Sequence, residues 1–192
     1  MKRTTPISRY RGVTMIEVLI SIIILLVGLL SLAGLQSRSQ QAEMESYQRA
    51  QALILMQDMA DRINANRMVA TCYAITTTAN GSPWLGYASS IVTPVCTAGT
   101  LDQQARAIAD MTAWNSMLNG TAETSGGNNV GAMIGARGCV IQAPGSNQYT
   151  IAVAWQGMNA TAAPTVNCGN DQYSNENLRR VVAVTIQIAA LK

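Results

Sequence analysis

The sequence predicts an α+β fold: a long N-terminal helix over about 13–66 packed on a small antiparallel β-sheet, with a second short helix. Three observations predict it. Residues 18–37 form an uncharged, mostly apolar run that leads into a polar stretch, 36–66, free of Pro and Gly. Residues 101–118 carry apolar side chains at helical spacing. Toward the end of the chain the apolar period shortens to two, the period of strands.

The first twelve residues are short and basic, with Lys2, Arg3, Arg9 and Arg11 ahead of Gly12. They contain no apolar core, unlike an ordinary secretory signal, whose core precedes its cleavage site. Here the apolar run follows the glycine, so a cut at Gly12 leaves that run attached to the product. Four cations ahead of a membrane helix hold the N-terminus on the cytoplasmic side and place everything after Ser37 outside.

The 20 residues 18–37 rise about 1.5 Å each and span roughly 30 Å, the thickness of a bilayer's hydrocarbon core. Glu17 stands at the edge of this run. An ionised group in hydrocarbon costs roughly 2.5–3.5 kcal/mol, so this acid requires a reason. The helix continues beyond the run. Leu53, Met56, Ala60 and Ile63 form one stripe, and Asn64 and Asn66 are stop residues. A helix of that length, on the order of 80 Å, exceeds any small globular domain, so half of it must be buried in lipid or in other subunits.

Residues 67–99 read as loop. In 101–118, Thr100 is the N-cap, with Asp102 and Gln103 behind it. Leu101, Ala105, Ile108, Met111 or Thr112, and Leu118 lie near one face, which Trp114 and Met117 extend. Residues 119–129 read as a turn or mobile loop. The stretches "GCVIQAPG" and "QYTIAVAWQG" read as paired strands around a turn near 144–147. "LRRVVAVTIQIA" reads as a further strand, Val182, Val184, Ile186 and Ile188 alternating with Ala183, Thr185 and Gln187.

Four cysteines and no histidine narrow the chemistry. An even number in an exported domain points to disulfides, and three connectivities are possible. Cys72–Cys96 and Cys139–Cys168 close local loops and are the favoured pairs. Neither a metal site nor a His-based triad fits these residues, and no P-loop or GxGxxG precedes a helix. The acids Asp102, Asp110, Glu123, Asp171 and Glu176 are scattered and read as solvated surface. No catalytic residue and no cofactor are indicated. The formal charge of +3 becomes −1 once the four leader cations are removed, so no basic patch suggests nucleic acid.

The stretch "RGVTMIEVLISIIILLVGLLSLAGLQ" resembles the N-terminus of a type IV prepilin: a basic leader, a Gly, a hydrophobic first mature residue, a Glu four residues later and an apolar helix. Here these are Gly12, Val13 and Glu17. "GLLSLAGLQ", the four cysteines and "LRRVVAVTIQI" are similar to the PilV-type minor pilins, and the fold implied is pilin-like. Val13 stands where many members have Phe or Met. Gly34, with Gly28 before it, stands where major pilins often carry a helix-breaking Pro.

The resemblance implies that a prepilin peptidase cuts between Gly12 and Val13 and methylates the new amine. Glu17 then sets register against a Val13 amine, that of a neighbouring subunit, while Gly28 and Gly34 give the helix flexibility. The divisions are a cleaved leader, 1–12, a transmembrane or filament-core half-helix, 13–36, and a periplasmic or extracellular pilin domain, 37–192. The implied protein is a minor pilin, without enzymatic activity, of a complex that starts pilus assembly at the tip. It is a single-pass inner-membrane precursor before it reaches the cell-surface pilus. Its implied partners are other minor pilins, the major pilin, the prepilin peptidase, the inner-membrane assembly platform and a tip adhesin. The polar loops 67–99 and 119–129 are the candidate partner surface. Two alternatives share parts of the pattern: a minor pseudopilin of a type II secretion system, and a signal-anchored periplasmic enzyme or binding protein.

Overall fold

In the computed structural model, residues 12, 14–77, 79–89, 94–121, 124–129, 131 and 133–189 are described. The expected leader up to Arg11, the expected first mature residue Val13, and Glu123 lie outside them. The chain divides into two compact units, Met1–Glu43 and Met44–Lys192. One element, the 51-residue helix α1 (Met15–Ala65), runs through both.

In the first unit every large apolar side chain from Met15 to Leu35 is exposed. The helix is long and apolar enough to cross a membrane. The two hydroxyls between Met15 and Leu35 are satisfied internally: Ser21 donates to the Glu17 carbonyl at 2.7 Å and Ser31 to the Val27 carbonyl at 2.9 Å. Back-bonding of this kind lets a serine sit in an apolar surround without an orphaned donor.

The second unit is built on the rest of α1. Its other elements are a 3-10 segment (Arg67–Tyr73), β1 (Leu85–Gly86), α2 (Leu101–Leu118), a small hairpin of β2 (Thr124–Ser125) and β3 (Asn128–Asn129), then β4 (Arg137–Gln142), β5 (Gln148–Gln156) and β6 (Arg179–Gln187). The main sheet has the order β1-β4-β5-β6 and is antiparallel throughout, with Cys139 opposite Ala152 and Ala152 opposite Ala183. The architecture is the α+β, pilin-like arrangement expected. The segment read as loop over 67–99 also carries the 3-10 segment and β1, and the one read as turn over 119–129 carries the small hairpin.

The buried arc of α1 is Ala52, Leu55, Met56, Met59, Ala60 and Ile63. Leu53, assigned to the stripe, is 42% exposed. At roughly 100° per residue it falls just past Ala60, on the rim of the arc. The face of α2 is likewise rotated from the expected one. Ala107, Met111, Trp114 and Leu118 are buried, whereas Leu101, Ala105 and Thr112 are exposed. The cap of α2 is a full capping box: Thr100 accepts from the Gln103 amide and the Gln103 side chain accepts from the Thr100 amide.

These helix faces meet Val140 of β4 and Tyr149, Ile151, Val153 and Trp155 of β5 in one core. Trp114 is fully buried and donates its indole N–H to the Leu55 carbonyl at 2.9 Å, tying α2 to α1. It packs against Gly138, where a Cβ would collide with both the indole and Leu118. The opposite face of β4 and β5 is also buried. There Cys139, Ala152 and Ala154 form a second, smaller cluster with Cys168. Small side chains on that face leave room for the covering loop, which is why β5 shows no alternation.

A polar junction closes the end of α1. Tyr73 donates to Asp110 at 2.7 Å, Arg62 donates to the other Asp110 oxygen at 2.8 Å, and Asn66 donates to Tyr73 and to the Gln103 carbonyl. Asp110, read as solvated surface, is thus 5% exposed and fully partnered. Burial first, and then the bond to Asp110, push the Tyr73 hydroxyl far above the ordinary phenol range.

Two predictions follow from this packing. Gly138→Ala forces Trp114 off the sheet and lowers stability by about 1–3 kcal/mol, read as a fall in Tm of the full chain. The fold retains the Tyr73 proton where the unfolded chain releases it. Stability is therefore full below about pH 10 and is lost above it, by up to about 1.4 kcal/mol per pH unit. Urea titrations at rising pH show this decline, and Tyr73→Phe flattens it.

Candidate functional site

Two regions carry the residues of interest, one in each unit. In the first unit Gly12 is exposed, and a Cβ there would meet nothing within 4 Å. Thr14 starts the helix by accepting from the Glu17 amide at 3.0 Å. Glu17 is the acid of the first turn of α1 and is exposed. A carboxylate there meets the positive end of the helix dipole, worth about 0.3–1 kcal/mol. Gly28 and Gly34 lie within α1, and a Cβ at either would meet nothing within 4 Å. Nothing in the chain's own packing demands glycine at these positions.

In the second unit the structure bonds Cys72 to Cys96 and Cys139 to Cys168. The first joins the end of the 3-10 segment to the stretch before α2. The second joins β4 to the loop that runs from β5 to β6. Gly81 comes so close to Asn167 that a Cβ would overlap its carbonyl, and φ there is +61°. The loops 79–89 and 164–173 therefore approach each other across the disulfide.

Two arginines hold that loop cluster. Arg179 is 1% exposed and pairs with Glu176 at 2.6 Å. It also donates to the carbonyls of Pro164, Val166 and Cys168 and to the Asn170 side chain. A buried cation is tolerable only when paired and saturated with acceptors, and this one is. Arg137 is 4% exposed and uses aromatic rings instead, with centroids at 5.3 Å for Trp84, 5.4 Å for Tyr87 and 4.7 Å for Tyr173. Its Nη1 donates to the Gly135 carbonyl, which also accepts from the Tyr173 hydroxyl. Burial pushes the Tyr173 pKa up, against the lowering effect of Arg137.

A third arginine ties the same loop to α1. Arg180 donates to Asn159, Thr161 and Asn177 and lies 3.7 Å from Glu45, which accepts from the amides of Met158 and Asn159. None of these roles was read from the sequence. The signal was the paired arginines opening β6: strand alternation sends Arg179 to the loop-covered face and Arg180 to the face that carries α1.

Among the described residues no cluster of His, Cys, Asp or Glu could hold a metal ion. The acids Asp102 and Asp171 are exposed and separate, and Glu176 is committed to Arg179.

A family model described as type IV pilin Tt1218 matches residues 34–106. A second, the prokaryotic N-terminal methylation motif, matches residues 7–33. Together with the fold, they support a type IV pilin, a structural rather than an enzymatic class. No curated protein and no solved structure matches the chain. The class implies pilus assembly with other pilins and processing by a prepilin peptidase. The motif and the apolar helix fit a pilin anchored in the inner membrane and then incorporated into a pilus.

Arg179→Ala removes the cation that gathers five acceptors. The expected loss is about 3 kcal/mol, with faster amide exchange confined at first to residues 159–178. Unchanged exchange in that loop contradicts the role.

Proposed function

We propose that the chain is a PilV-type minor pilin: a low-copy, non-catalytic subunit of the complex that primes pilus assembly and remains at the tip, supporting an adhesin there. The observation that carries the reading is Glu17, the lone charge in the run from Gly12 to Ser37, set in the first turn of α1, whose large apolar side chains from Met15 to Leu35 are exposed.

The mechanism starts at the leader, which stays on the cytoplasmic side. Gly12 offers no side chain, so a membrane peptidase reaches the bond to Val13 unhindered. The cut frees an α-amine, which is then methylated and stays cationic. Glu17, four residues on, comes to face the Val13 amine of a neighbouring subunit as the helix leaves lipid. Attraction between two charges in an apolar surround is strong, but desolvation offsets much of it. The pair therefore selects axial register more than it adds stability.

Gly28 and Gly34 serve the same step. Each weakens the helix by about 1 kcal/mol relative to Ala. The open space around them lets the helix bend, or lets a neighbouring helix approach closely. The inner-membrane assembly platform, the major pilin and the other minor pilins are the partners of this step. The loop 79–89 and the hairpin of β2 and β3 form the outward surface for tip partners.

Glu17→Ala blocks incorporation into sheared filaments by tenfold or more while cleavage after Gly12 proceeds, both read by quantitative immunoblot of filament and membrane fractions. Normal incorporation of the variant contradicts the proposal. Gly28→Ala combined with Gly34→Ala reduces incorporation more mildly, with cleavage unchanged.

A further inference from the structure

Beside the loop cluster lies an open cleft of about 440 Å³, lined by Asn80, Ser82 and Trp84 from one loop and Asn170, Asp171 and Gln172 from the other. We propose that this cleft binds a neutral saccharide, with Trp84 as the stacking platform and Asp171, Asn80, Asn170 and Gln172 as the groups that read hydroxyls.

The chemistry of the lining selects the ligand class. An indole presents an apolar face to the C–H bonds of a pyranose, and carboxamides and a carboxylate pair with its vicinal hydroxyls. Among the described residues that line the cleft there is no Lys or Arg, so phosphate and nucleic acid gain nothing from them. Asp171 opposes an anionic sugar. The lining is too polar for a lipid tail.

The second argument is rigidity. Shallow sites bind small polar ligands only when their own ordering cost is already met. Trp84 donates its indole N–H to the Tyr87 carbonyl at 3.0 Å, and the guanidinium of Arg137 lies over its ring. Asn170 accepts from Arg179 and donates to Asp171 at 2.9 Å, while the Asp171 amide donates to Glu176 at 2.8 Å. Cys139–Cys168 and the Gly81 contact hold the two loops together beneath. The described non-glycine residues with positive φ are Ala88, at +51°, and Asp171, at +57°. One borders the cleft and the other follows the Tyr87 carbonyl that fixes Trp84. Strained backbone of this kind persists only where its surroundings over-determine it, and ligand clamps are a common setting.

The probes are chitotriose, for N-acetylglucosamine chains such as those of a bacterial wall, lactose, for galactose-ended surface glycans, and sialyllactose as the anionic control. The full chain is held in nanodiscs without glycolipid, and binding is read by ligand-observed saturation-transfer NMR and indole fluorescence. Saturable binding of chitotriose or lactose, with Kd on the order of 1 mM, is the expected result. Asp171→Asn tolerates the positive φ, leaves Tm unchanged and weakens that binding about tenfold. Gln172→Trp fills the cleft and abolishes it. A response to chitotriose alone assigns wall-type chains, and one to lactose alone assigns galactose-ended glycans. The proposal is overturned if neither sugar binds at up to about 20 mM. It is equally overturned if both variants bind as the parent does, or if sialyllactose binds as tightly as lactose.

Discussion

The exposed apolar first half of α1 governs this protein. Fifteen large apolar side chains from Met15 to Leu35 stand exposed in the first unit, and water is not a stable surround for that surface. Lipid can cover it, and so can the like helices of other subunits. The acid at its N-terminal edge is costly in the first setting unless it stays at the interface. Under the proposed function it becomes useful in the second, where cleavage after Gly12 supplies an amine. In the proposed function, charge, helix and leader form one device for moving a subunit between two apolar surroundings.

The same helix, further along, serves the opposite purpose. From Ala52 to Ile63 it is amphipathic and supplies one wall of the second unit's core. Trp114 bonds to a carbonyl of α1 and lies on Gly138 of the sheet, so one indole joins both helices and the sheet. The sheet's other face is closed by a loop rather than by a helix. Ala152 and Ala154 keep that face low, Cys139–Cys168 anchors the loop, and Arg179 organises its carbonyls. On this face, where the apolar cluster is small, a disulfide and an ion pair supply the fastening.

What could be read in the sequence divides along physical lines. The long helix, α2 with its Thr100 cap and the alternation of β6 from Val182 to Ile188 depend on local period and capping chemistry, and all were legible. The faces of the helices were less so. Leu53 and Leu101 look like core residues by type, yet the arc that packs is chosen by the partner surface, and each falls beside it. Asp110 looked solvated because its partners, Tyr73 and Arg62, are 37 and 48 residues away. That β5 is covered on both faces was not legible, because nothing local signals a loop folding over its second face. The roles of Arg137, Arg179 and Arg180 went unread for a related reason: alternation assigns a face to the pair that opens β6, but their acceptors are largely backbone carbonyls, which carry no sequence signature. In the first unit the Gly12–Glu17 pattern was legible as a motif, and the role proposed for it rests on contacts with other chains.

The most direct test is the intact mass of the chain recovered from sheared, membrane-free filaments. The account predicts a polypeptide that begins at Val13, carries one added methyl group and retains both disulfides. A chain found only in membranes, with its first twelve residues still attached, contradicts it.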